Sequence, residues 1–67
     1  MTTATATLRE MNEIYQRHLK DVIAETSTLS TAKILADKYR PNHGYMHISD
    51  LREMEAKSRM RAELANR

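Results

Sequence analysis

Taken at 100° per residue, Leu8, Met11, Tyr15, His18, Leu19, Val22 and Thr26 gather on one side of a helix, with Glu10, Glu13, Arg17 and Lys20 opposite. Thr7-Leu8-Arg9-Glu10 fits the capping box, in which the threonine side chain accepts from the N3 amide, so the first helix is predicted to open there. The hydroxyls of Thr26-Ser27-Thr28 compete with backbone hydrogen bonds and predict the end of one helix and the cap of the next. Leu29, Ala32, Leu35, Ala36 and Tyr39 make a second stripe, and Pro41, which has no N–H to donate, predicts that this helix stops near 39. Two helices joined so tightly imply an antiparallel hairpin over about 7–39. Ile34 lies across from its own stripe and is left without an intramolecular partner.

Residues 40–48 hold the only Pro and the only Gly and read as a structured loop; the alternation from Tyr45 to Ile48 is too short to build a sheet. Asp50-Leu51-Arg52-Glu53 repeats the capping-box pattern and predicts a third helix over about 50–65. Glu53 with Lys57, Glu55 with Arg59 and Glu63 with Arg67 stand at the favourable i,i+4 spacing. The apolar residues of this helix split. Leu51, Met54, Ala62 and Ala65 fall on one side, while Ala56, Met60 and Leu64 fall on the other. A hairpin covers one face only, so the expectation is that Leu51 and Met54 enter the core and that Ala56, Met60 and Leu64 project toward another chain.

Composition sharpens this picture. The chain has 67 residues, 40% of them hydrophobic, with no Cys, Trp or Phe. A chain this small buries only about 60% of the surface its unfolded form exposes, so the core is thin. Disulfides and thiolate metal sites are excluded, and self-association is the remaining remedy; an all-α, three-helix domain completed by a homodimer or higher oligomer is the expected architecture. No apolar run approaches the roughly 18 residues that span a bilayer, and the Thr/Ala-rich start lacks a basic region followed by an apolar core. The chain is therefore expected to be soluble and cytoplasmic, with 1–6 and the last two residues frayed.

Charge adds little. A net charge of +2 is a small imbalance, although residues 40–67 hold six Lys/Arg against four Asp/Glu. The basic end, Lys57, Arg59, Arg61 and Arg67, is suited to touching phosphates without reading bases. A helix-turn-helix is not indicated. The break is too long, and the would-be recognition helix opens with Asp50, Glu53 and Glu55.

His43 and His47 are four apart, with Asp50 and Glu53 nearby, but Gly44 and Pro41 interrupt the continuous helix that would aim both rings at one metal ion. No metal, cofactor or catalytic residue is predicted, and His18 reads as an interior histidine on an apolar face. The methionines suit an adaptable binding surface as well as a core. In general style the chain resembles the small accessory proteins of bacteriophages and mobile elements, which act by binding host proteins. The expected function is a non-enzymatic interaction module that regulates a larger protein, with Ile34, Tyr45, Met46, Ala56, Met60 and Leu64 at the interface. The alternative is a small nucleic-acid-associated regulator using the basic end.

Overall fold

The computed structural model describes residues 6–43 and 47–66, with side chains described outside 40–43. Three helices make up the all-α fold: α1 (Leu8–Glu25), α2 (Leu29–His43) and α3 (Ile48–Ala65). Thr7 caps α1, its Oγ1 accepting from the Glu10 amide at 3.1 Å. Thr26 ends α1 by donating its hydroxyl to the Val22 carbonyl at 2.8 Å, and Thr28 Oγ1 accepts from the Thr31 amide at 3.3 Å to open α2. The tight hairpin turn between the first two helices is thus built from the threonines that the sequence marks for it.

Two boundaries differ from expectation. The backbone of α2 continues past Pro41 to His43. Proline removes only its own N–H, and the donors that follow it can still reach carbonyls one turn back, so the backbone completes a last helical turn past it. The third helix opens at Ile48 instead of Asp50, because His47 is its cap: Nδ1 accepts from the Ser49 amide at 3.2 Å from an extended backbone. Asp50 then falls in the first turn, where a carboxylate favours the positive end of the helix. The expected nine-residue loop shrinks accordingly; residues 44–46 lie outside the described residues, and so do the interface candidates Tyr45 and Met46.

α1 and α3 run antiparallel and form the main packing pair, with α2 leaning on α3 and only slightly on α1. Polar clamps fix that pair along its length. Arg52 of α3 donates to both the Thr26 hydroxyl (2.7 Å) and the Thr26 carbonyl (3.0 Å), supplying at the C-terminus of α1 the cation that its own last turn lacks. Farther along, Glu63 accepts from Arg17 and meets His18 Nε2 at 2.8 Å.

Val22, Leu35 and Leu51, one from each helix, form the central cluster, flanked by Ala36, Tyr39 and Ile48. Ile14, Ala56 and Met60 are also buried. The burial of Ala56 and Met60 corrects the expectation that they project away. Around α3 the order is Leu51 and Glu55 on one flank, Arg52, Arg59 and Glu63 between, and Ala56 and Met60 on the other flank. Glu55 reaches α2, whereas Arg52, Arg59 and Glu63 reach α1. Two apolar flanks are needed because α3 packs against two helices at different angles around its axis. Met54 and Leu64 mark the edges of the covered arc and are half-buried, while Ala62 and Ala65 are exposed and do not extend the core. Leu8 and Leu29, assigned to stripes by period alone, sit in first turns and are exposed.

This placement reverses the consequence of altering the third helix. Met60→Ala should lower unfolding stability by about 2–3 kcal/mol, a large share of the roughly 3–10 kcal/mol available to a chain of this size. Urea denaturation followed by circular dichroism checks it, and an unchanged midpoint would place Met60 outside the core.

Candidate functional site

A cleft lies where the C-terminal end of α1 meets α2 and the middle of α3. Its volume is about 490 Å³, and Val22, Ile34 and Leu35 form its apolar wall, with Thr26 and Thr31 beside them. Glu25, Lys38, Glu55 and Arg59 complete the lining. Ile34 stands at the lip and is 69% exposed, which agrees with its place across from the α2 stripe.

The charged side of the cleft is a closed network. Glu55 is 8% exposed, and its Oε1 accepts from Lys38 Nζ and from the Tyr39 hydroxyl, each at 2.7 Å. Its Oε2 accepts from Arg59 Nε at 3.1 Å. Arg59 then grips Glu25 of α1 with both terminal nitrogens, at 2.9 and 2.6 Å. Two acids and two bases on the cleft wall cancel in formal charge. Among the described residues, no buried side-chain polar atom lacks a hydrogen-bond partner.

Burial pulls the Glu55 carboxyl upward, but the hydrogen bonds from Lys38, Tyr39 and Arg59 outweigh it and hold the group below its ordinary value of 4.5. Burial, reinforced by the hydrogen bond to Glu55, pushes Tyr39 up to about 12. The hydrogen bond from Arg59 likewise lowers Glu25, and Arg59 itself is held further in its charged form by Glu25. At the other clamp Arg17 and then His18 hold Glu63 low.

The remaining candidates are dispersed. Ala56 and Met60 are under the fold and Leu64 is half-buried, so the structure does not bring them to Ile34 on one open face. Of the phosphate candidates, Arg59 is committed to Glu25 and Glu55; Lys57 and Arg61 are exposed, and Arg67 lies outside the described residues. The His43 side chain also lies outside them, and His47 is occupied as a helix cap. Among the described residues, no group of three or more His, Asp or Glu side chains is gathered as a metal cage. No described helix is long and apolar enough to cross a membrane.

The Glu55–Arg59 pair forms at the i,i+4 spacing expected of it, but the burial of Glu55 and the cleft are what sequence reasoning missed. The signal was present: position 55 lies one turn from Leu51 on the inward arc of α3, and Tyr39 at the end of the α2 stripe carries a hydroxyl that needs a partner once buried. The chain matches no family model, no curated protein and no solved structure.

Because Glu55 is lowered in the folded state, its contribution to stability is fully present above about pH 4.5 and is lost as pH falls through its depressed value. Tyr39 bounds the other side. Its raised value means that its contribution is present below pH 10 and is lost between 10 and about 12. Glu55→Gln should cost about 2–3 kcal/mol at neutral pH, since hydrogen bonds to a charged acceptor are replaced by weaker ones. It should also flatten the acid limb and let Tyr39 ionise earlier. Denaturation midpoints across pH, with tyrosinate absorbance for Tyr39, check all three.

Proposed function

We propose that this chain is a non-enzymatic helical interaction module, a small regulator that binds a larger protein through the cleft beside Ile34. The observation that carries this reading is an isoleucine 69% exposed at the lip of a cleft of about 490 Å³ with an apolar wall. A cleft of that size accepts one or a few side chains from a partner, and a central apolar anchor is how interfaces concentrate their energy. The polar groups of the rim are already paired, so recognition rests on shape and apolar contact, with the ion pairs as a rim.

The chemistry of Glu55 and its partner Tyr39 behind the cleft favours binding over catalysis. Proton transfer near neutrality wants a group whose titration is poised there. Glu55 moves down and Tyr39 moves up, each away from neutral pH, and each is locked to a partner. The general likeness in style to small phage and mobile-element proteins is compatible with a regulator of a host protein.

Affinity capture with the tagged chain tests this reading. A defined larger protein, identified by mass spectrometry, should be retained in stoichiometric amount by the parent chain. Ile34→Glu should weaken its retention by about tenfold or more while keeping the helical circular-dichroism signal. Equal retention by the variant and the parent would sink the assignment of the cleft.

A further inference from the structure

This inference rests on the reading of the cleft as an interaction surface and names the occupant it has while no larger protein is bound. We infer that the cleft is filled by a second copy of this chain, in a twofold contact where Ile34 of each protomer enters the cleft of the other.

Three observations converge on a second copy. First, knob and hole lie on the same face: Ile34 protrudes at the lip of the cleft it helps to line. A twofold axis beside such a face satisfies both features twice with one contact, because an isologous interface presents the same patch from each side. Second, the patch is compatible with itself in charge. Glu25 and Glu55 against Lys38 and Arg59 sum to zero, and each is already paired within its protomer. A patch with net charge of either sign would repel its own copy.

Third, the fold leaves surface to cover. The folded chain exposes 5128 Å², whereas a compact monomer of 7.8 kDa exposes about 4,400 Å² by the usual scaling. A radius of gyration of 13.4 Å, against about 11 Å for a compact chain of this length, reports the same openness. A small-molecule ligand is less favoured by the site, since among the described residues no buried side-chain polar atom is left over to orient one.

The test uses the full chain. Sedimentation equilibrium over a concentration series should give a species of twice 7.8 kDa. Ile34→Ala should weaken association by about tenfold and Ile34→Glu by about a hundredfold, with helical signal retained. If Ile34→Glu does not fold, the alanine variant and a cross-link decide. For the cross-link, Ile34 is replaced by benzoylphenylalanine and isotopically labelled and unlabelled chains are mixed. Irradiation should join position 34 of one copy to the Val22–Thr26 segment or to the Thr31–Leu35 turn of the other.

A concentration-independent mass of one chain overturns the inference, as does a dimer that Ile34→Ala leaves unchanged. If the chain is monomeric yet loses a separate target protein on Ile34→Glu, the second-copy inference fails and the interaction reading stands. A dimer that forms through Ile34 while no larger protein depends on that residue supports the inference and removes the regulator reading.

Discussion

Glu55 is buried in α3, takes Lys38 and Tyr39 from α2 on one oxygen and Arg59 on the other, and through Arg59 is tied to Glu25 of α1. Taking a carboxylate out of water costs several kcal/mol unless charge and hydrogen bonds replace its hydration. All three donors must therefore arrive together, two from α2 and one from α3 itself. That requirement acts on geometry more than on net stability. An apolar residue at this position would allow α2 to slide along α3, whereas a carboxylate tolerates only the register that brings Lys38 and Tyr39 within 2.7 Å.

With the register of α2 fixed in this way, the composition of α3 follows. A helix that packs on one neighbour needs one stripe, but α3 meets both α1 and α2 and buries Leu51 and Glu55 on one flank and Ala56 and Met60 on the other. Between the flanks lie Arg52, Arg59 and Glu63, which clamp Thr26, Glu25 and the Arg17–His18 pair of α1. These side chains have long stems that cover apolar surface while their heads find partners, at the C-terminal end of α1 for Arg52 and Arg59 and at its middle for Glu63. A core with no Trp or Phe is thereby supplemented by polar clamps along the main helix pair.

How much of this was legible in the chain depends on whether the signal is local. Thr7, Thr26 and Thr28 act within three or four residues of themselves, so their capping roles and the three-helix plan could be read directly. Ile34 was placed correctly because a position opposite a clear stripe has one reading. The proline rule overreached at Pro41, since proline removes only its own donor and the N–H groups after it can still reach carbonyls one turn back. Ile14 was overlooked because the α1 stripe was centred on Leu8, and pairing with α3 turns the buried face toward Ile14 and Val22. The direction of Met60 and the role of Glu55 are set by where two other helices lie around α3, which no window along one helix contains.

The cleft follows from the same constraint. α1 and α2 share only a short turn and slight packing, and both are held to α3 by polar contacts near its middle. A polar knot spaces helices by hydrogen-bond lengths and side-chain reach, and this chain has no Trp or Phe to fill the wedge that opens between them. Val22 and Leu35 consequently serve two surfaces, the central cluster on one side and the cleft wall on the other. An occupant that inserts an apolar side chain there would pack against residues of the core itself and would exclude water from the Glu55 and Arg59 pairs. Excluding water strengthens those pairs, because the local dielectric falls. Stability and binding at this site are therefore coupled in one direction: whatever fills the cleft reinforces the knot that created it.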